Sequence, residues 1–307
     1  MENNYINRLK INMFEQGYST SYIDRCCSYA TSLISQNLPV IFDKKHLNQI
    51  LMLDTLKLDC YHEFEIYTKG KSRMILAPSK PLKLRQRWIL DEILNKLPTN
   101  QCCHGFVQQR SIKTNAEMHV NKTQVLCMDI HNFFPSININ QVFEVFHCVG
   151  YTSDVAQALA QLCTHNAILP QGAPTSPTLA NIIFSPIDQQ ILNAISTKEI
   201  TYTRYADDLI FSSSHELDFL IPLVSEIIST NGFEINSNKT HLMKNPYRKM
   251  ITGLIVTNTV KIPKYYKRKF NQELFYCEKY GVASHLKNCK THKKVNFKEY
   301  MYGKAYY

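Results

Sequence analysis

Two short runs of β-forming residues, 200–204 and 209–213, are separated only by Tyr205-Ala206-Asp207-Asp208. So short a connection permits only a tight reversal, which predicts a hairpin with adjacent carboxylates at its tip. Strand alternation fixes Tyr202, Arg204, Leu209 and Phe211 at pleat positions and leaves Asp207 and Asp208 together at one end. Neighbouring carboxylates repel and raise each other's pKa unless a cation or a basic group offsets them. A solvated turn is the other reading, since Asp is a common turn former. Other segments of the chain bear on the choice.

Val125-Leu126-Cys127-Met128-Asp129-Ile130 is a continuous apolar run interrupted only by its carboxylate, and Pro135 follows soon after. Such a run suits a strand covered on both faces, with Asp129 at its end and Pro135 beyond the point where the strand stops. Asp129 could then face Asp207 and Asp208. Two-metal phosphoryl transfer uses divalent ions roughly 3.5 to 4 Å apart, held by carboxylates so that attacking and leaving oxygens are both stabilised. Between these segments, Leu169-Pro170-Gln171-Gly172-Ala173-Pro174-Thr175-Ser176-Pro177 reads as a loop feeding a helix with apolar positions at Leu179, Ile182, Ile183 and Ile187. Gly172 permits close backbone approach and Pro177 suits a first helical turn, so a nucleotide or template base could lie against the loop.

In their order, the Asp129 strand, the Pro170-Gln171-Gly172 loop and the Tyr205-Ala206-Asp207-Asp208 hairpin resemble the motifs of a reverse transcriptase. More narrowly, Asn115-Ala116-Glu117-Met118-His119 matches the Asn-Ala-x-x-His element of bacterial retron reverse transcriptases, and Ile251-Thr252-Gly253 is similar to their Val-Thr-Gly, with isoleucine in place of valine. The resemblance runs from about residue 61 to the end of the chain. It implies an α/β (α+β) right-hand polymerase fold. Residues 1–60 would be an N-terminal helical extension, 61–124 fingers, 125–245 a palm of antiparallel sheet and helices with finger elements inserted, and 246–307 a basic helical thumb.

The resemblance also implies roles. Asp129, Ile130, Asp207 and Asp208 would hold two Mg²⁺ ions, Asp208 more peripherally, and Lys239 would protonate departing pyrophosphate. Arg73 would clamp the triphosphate from a hairpin turning at Lys69-Gly70-Lys71, although a plain surface hairpin reads equally well. Gln171 and Gly172 would contact the incoming nucleotide. Phe133 and Phe134 point to opposite faces of an extended chain, so one can be core while Phe134 stacks under the sugar and excludes a 2′ hydroxyl. Asn115 and His119, spaced i to i+4, share a face if helical. They are either structural or engaged with RNA in priming, and the second reading makes His119→Ala harm start-site choice more than elongation. Thr252, Gly253, Lys264, Lys267, Arg268 and Lys269 would bind RNA or template-primer.

Charge is unevenly placed. Residues 261–307 carry twelve Lys and Arg against three Glu, a net of +9, whereas the preceding 260 residues carry 23 against 22. Tyr265, Tyr266, Phe270, Phe275, Tyr276 and Tyr280 interleave with those charges, a combination that suits nucleic acid. Helical spacing of Tyr266, Phe270 and Tyr280 equally suits a packed face. Ten cysteines occur without an export signal, so reduced thiols and a cytoplasmic location are expected, and Cys277, His285, Cys289 and His292 lack a zinc-knuckle spacing. Periodicity predicts helices over 18–35, 44–58, 139–149 and 215–230 and a strand over 233–236.

The function implied is that of an enzyme which binds a cognate structured noncoding RNA and copies part of it from dNTPs into single-stranded DNA. Priming from an RNA 2′ hydroxyl would leave a branched RNA-DNA product. A nearby-encoded effector protein in phage defence and a host ribonuclease for template removal are the implied partners, and no membrane is involved. A group II intron-like reverse transcriptase, or a scaffold whose RNA-DNA complex restrains a toxic effector, are the alternatives.

Overall fold

The computed structural model describes residues 2–52, 61–68, 71–244, 248–288 and 296–306. Helices α1 (Glu2–Glu15), α2 (Thr20–Ser35) and α3 (Lys44–Leu51) precede an antiparallel pair, β1 (Tyr61–Thr68) and β2 (Lys71–Pro78). Helices α4 (Lys80–Glu92) and α5 (Ile112–Glu117) follow, then β3 (Gln124–Asp129), α6 (Ile139–Cys148), α7 (Ser153–Cys163) and α8 (Ser176–Ile195). The hairpin β4 (Thr201–Tyr205) and β5 (Asp208–Ser213), helix α9 (Leu220–Thr230) and β6 (His241–Lys244) complete the centre. Strands β7 (Lys249–Ile251), β8 (Leu254–Val256) and β9 (Val260–Lys261) form a small sheet, and α10 (Lys264–Tyr280), α11 (Val282–Asn288) and α12 (Phe297–Ala305) close the chain.

The central sheet has the order β4-β5-β3-β6, every pair antiparallel, so the apolar strand β3 lies inside it. Alternation sorts its residues onto two cores. Leu126, Met128, Leu209 and Phe211 face the main core, shared with Leu179, Phe184, Ile187 and Ile191 of α8 and with Val142 and Phe146 of α6. Val125, Cys127 and Ile210 face the opposite way, onto a second cluster built from Ala116 of α5 and Ile251, Leu254 and Val256 of the β7–β9 sheet. Burial on both faces explains why β3 reads as an unbroken apolar run.

Local signals place the helices. Ser19 caps α2 by accepting from the Tyr22 N–H, Asn138 and Gln141 form a capping box at α6, and Pro177 occupies the first turn of α8. Two expectations are corrected. Residues 233–236 form no strand: Ile235 makes a single bridge to Ile130, and the 3₁₀ turn Ser237–Lys239 takes up the chain before a ladder can grow. Helix α5 ends at Glu117, so His119 lies past its C-terminus instead of one turn above Asn115. Residues 53–58 of the helix expected over 44–58, the turn at Lys69-Gly70, and Cys289 and His292 lie outside the described residues. Among the described residues no helix is long and apolar enough to cross a membrane.

Candidate active site

Strand register brings the acidic residues together. Asp129 at the end of β3 pairs with Asp208 at the start of β5, and Asp208 pairs in turn with Tyr205 of β4. The hairpin loop is therefore the dipeptide Ala206-Asp207, with Ala206 at φ 57. A left-handed alanine costs roughly 1 to 2 kcal/mol, and tight hairpin turns ordinarily favour glycine where φ is positive. The Ile130 N–H donates to the Asp207 carbonyl at 3.0 Å, tying the turn to the end of β3, while the Asn236 N–H donates to the Asp129 carbonyl at 2.8 Å.

Asp129 is nearly buried and Asp208 half-buried. Burial first, then the neighbouring Asp207 and Asp129 charges, push the Asp208 carboxyl up to about 6, with Lys239 pulling the other way. The Lys239 ammonium donates to both oxygens of Asp129 at 2.7 Å. It stands against the very carboxylate that the motif assigns to metal. Among the described residues no three acidic, His or Cys side chains converge on one point as a finished metal site. The donor set nevertheless fits a hard divalent cation: carboxylate oxygens only, in mutual repulsion that Asp208 registers. Ile130 has an apolar side chain and can offer only its main-chain oxygen.

An open cleft of about 510 Å³ connects these groups to the second core. Asp129, Tyr205, Asp208 and Lys239 line it together with Ile112, Met250, Thr252 and Gly253, and Cys127, Ile210 and His241 complete the lining. Thr252 and Gly253 form the two-residue turn between β7 and β8, both at positive φ (45° and 88°), and Thr252 Oγ1 donates to the Ile112 carbonyl at 3.3 Å. The dipeptide thus sits in the same cleft as the carboxylates.

The other predicted residues divide. Phe133 is core, edge-on to Phe184 at 5.6 Å, whereas Phe134 is half-buried; the two lie in a turn instead of an extended chain, and their rings meet at 5.5 Å instead of pointing to opposite faces. Gln171 is half-exposed, and its carbonyl accepts from the Leu76 N–H at 2.9 Å. The close approach allowed by Gly172, at φ 138, is to protein: an added Cβ would lie 2.6 Å from the Leu76 carbonyl oxygen. This loop thereby docks β2, the strand that carries Arg73, onto the body of the molecule. Lys264, Lys267, Arg268 and Lys269 are all exposed on α10.

Asn115 and His119 depart from the expected RNA contact. Both are fully buried and offer no surface to a ligand. His119 bridges Thr203 Oγ1 of β4 and Ser212 Oγ of β5 at 2.7 Å each, and burial pushes its pKa down to about 3. Helix α5, which carries Asn115, packs between the catalytic sheet and the β7–β9 sheet. The element therefore braces the cleft, and its first residue, Ile112, forms part of the wall.

Sequence reasoning missed a buried group beneath the hairpin. Arg204 forks onto both oxygens of Asp188, with Nη2 to Oδ2 at 2.8 Å, and both side chains are 0% exposed. Burial works against the Arg204 charge, but Asp188 more than offsets it and the pKa is raised. The signal was present as opposite charges at positions that pattern as buried, Arg204 among the apolar residues of the hairpin and Asp188 beside Phe184, Ile187 and Ile191.

An interior antiparallel strand and a hairpin that present carboxylates at one sheet end define a polymerase of the right-hand class. A solved telomerase from Candida albicans in complex with a fragment of telomeric RNA shares this fold, with a TM-score of 0.51, 12% identity, and coverage of 73% of this chain and 51% of that one. The reverse transcriptase (RNA-dependent DNA polymerase) family model matches residues 57–271. Retron Ec86 reverse transcriptase of Escherichia coli is 34% identical over 255 residues, 77% of this chain and 78% of that protein. Retron Se72 reverse transcriptase of Salmonella heidelberg is 30% identical over 263 residues, 82% and 69% respectively. The chain belongs to the reverse transcriptase family, among the bacterial retron reverse transcriptases, and is an RNA-directed DNA polymerase.

Proposed function

We propose that the chain binds a structured noncoding RNA and extends a DNA strand from an RNA 2′ hydroxyl, giving a branched RNA-DNA product. The observation that carries this reading is the single cleft shared by Asp129, Asp208, Lys239 and the Thr252-Gly253 turn. Asp129, Asp207, Asp208 and the Ile130 carbonyl would hold two magnesium ions, which when bound would supply charge neutralisation on the phosphates and activation of the attacking oxygen. The carboxylates orient that site, and Lys239, which lies against Asp129, moves toward the departing pyrophosphate as its proton donor. Gln171 and Arg73 position the triphosphate, and Phe134 lies under its sugar. Thr252 and Gly253 contact the primer end, while Lys264, Lys267, Arg268 and Lys269 bind duplex phosphates.

On this reading 61–124 act as fingers, 125–245 as palm and 246–307 as thumb, behind a helical extension over 1–60. The enzyme works in the cytoplasm with an effector encoded nearby, in phage defence, and a host ribonuclease trims the template. Retron relatives over most of the chain support the RNA-templated part of this reading. The test is to purify the tagged protein from cells carrying its native locus, beside the Asp207→Asn, Asp208→Asn variant, and to sequence the bound nucleic acid. A discrete RNA joined covalently to DNA only with the intact enzyme is expected. Unbranched or heterogeneous nucleic acid would overturn the priming assignment, and restraint of the effector by the inactive variant would favour a scaffold.

A further inference from the structure

A left-handed alanine at the catalytic turn needs something to hold it there, and the surroundings of Ala206 supply it. Arg204 reaches Asp188 through Nε and Nη2, and its Nη1 donates to Asn181 Oδ1 at 3.0 Å and to the Ala206 carbonyl at 3.3 Å. Asn181 in turn donates to the Gly105 carbonyl at 2.8 Å. Gly105 lies so close beneath the turn that an added Cβ would stand 2.5 Å from the Ala206 nitrogen. The main chain of Arg204 is held as well, its N–H by the Cys102 carbonyl and its carbonyl by the His104 N–H, and its guanidinium lies 4.7 Å from the Phe184 ring centre. Asn181 and Asp188, two helical turns apart, both belong to α8, so one helix anchors the whole arrangement.

We propose that Arg204 is a positioning residue for polymerisation: through Asp188 and Asn181 it clamps the Ala206-Asp207 turn and the Gly105 loop together, fixing where Asp207 and Asp208 stand relative to Asp129. This rests on the catalytic reading of those carboxylates. Stability alone gives a poor reason for such a pair, because buried ion pairs can often be exchanged for apolar residues of similar volume at no cost. Geometry gives a better one. A guanidinium delivers the fork to Asp188 and a further donor to Asn181 and Ala206 at fixed angles, which a lysine cannot do.

The test exchanges the pair for apolar residues, Arg204→Met with Asp188→Leu, and reads three quantities on the full chain: melting temperature, steady-state kinetics on a supplied RNA template with DNA primer, and the ¹³C methyl signal of Ala206 in alanine-labelled protein. Expected are a folded protein, an Ala206 signal moved from its left-handed position, and kcat lowered between about ten- and a hundredfold with KM for dNTP little changed. A folded double variant with either the Ala206 signal or kcat unchanged overturns the proposal. If the double variant does not fold, Asn181→Ala decides by the same two criteria, since it leaves the ion pair and removes the link to Gly105. Asp208→Asn serves as the control: if it keeps polymerase activity, the catalytic reading fails on its own account, whereas the Ala206 signal reports the clamp independently.

Discussion

His119 illustrates how a residue marked by a motif can act without touching a ligand. One ring nitrogen donates and the other accepts between Thr203 and Ser212, which pins β4 to β5 two residues or more from the catalytic end of each. The folded protein holds this imidazole neutral, with burial lowering its pKa to about 3, while the unfolded chain titrates near 6.5. Stability from this group is therefore complete above pH 6.5 and falls as the pH drops toward 3, by up to about 1.4 kcal/mol per pH unit. His119→Gln should weaken the protein at pH 7 yet flatten the decline between pH 6.5 and 4, as read from urea midpoints. Parallel curves would show that the histidine is not buried uncharged. Because the pin serves the whole sheet, His119→Ala should now reduce initiation and supplied-primer elongation alike, against the start-site defect that the motif alone suggested. At Phe134 the half-exposed ring predicts a different readout: Phe134→Ala should raise incorporation of ribonucleotides relative to deoxynucleotides by about tenfold or more, at little cost in stability, and an unchanged ratio would return the ring to a packing role.

The Thr252-Gly253 turn carries strain that the element does not need for folding. A two-residue turn with both φ values positive prefers Asn-Gly, and a β-branched threonine at φ 45 is an outlier there. Strain of this kind persists at functional sites when the surroundings enforce it. Thr252→Asn should therefore leave the protein at least as stable, relief of the strain offsetting the lost Oγ1 bond to the Ile112 carbonyl, while weakening primer extension because it changes a side chain that lines the cleft. Undiminished stability with full activity would remove Thr252 from the site. Elements of this sort were legible in the sequence wherever the signal was local: the hairpin around Tyr205-Ala206-Asp207-Asp208, the apolar spacing of α6, Pro177 at the start of α8. What was not legible depends on partners far away in the chain. Strand periodicity could not tell that Arg204 meets Asp188, that Gly172 packs on Leu76, or that α5 would be sealed between two sheets. The short apolar run at 233–236 failed as a strand for the same reason: it had a neighbour for only one bridge.

At the scale of the whole molecule, shape and charge are separated. The first 260 residues are nearly balanced and hold both hydrophobic cores, whereas 261–307 carry the net of +9 on helices in which no described side chain is fully buried. Helix α10 meets α12 through polar contacts that include Lys304 to Glu273 at 2.6 Å and the Tyr266 hydroxyl to the Lys304 carbonyl at 3.3 Å. A helix with no fully buried side chain and with Lys264, Lys267, Arg268 and Lys269 exposed in its first two turns is suited to binding a polyanion. If each of the four neutralises one phosphate, replacing all of them with Gln should reduce the slope of log affinity against log salt by about 3 to 4 for a duplex template-primer. Binding by the variant should therefore fall well below that of the intact protein at 50 mM salt and converge with it at high salt, while kcat at saturating template-primer stays the same, since none of these side chains lines the carboxylate cleft. Fluorescence anisotropy across a salt series measures the first quantity and primer extension the second. An affinity loss that did not depend on salt would mean that these residues shape the thumb instead of meeting phosphate, and that the charge asymmetry serves something other than nucleic-acid binding.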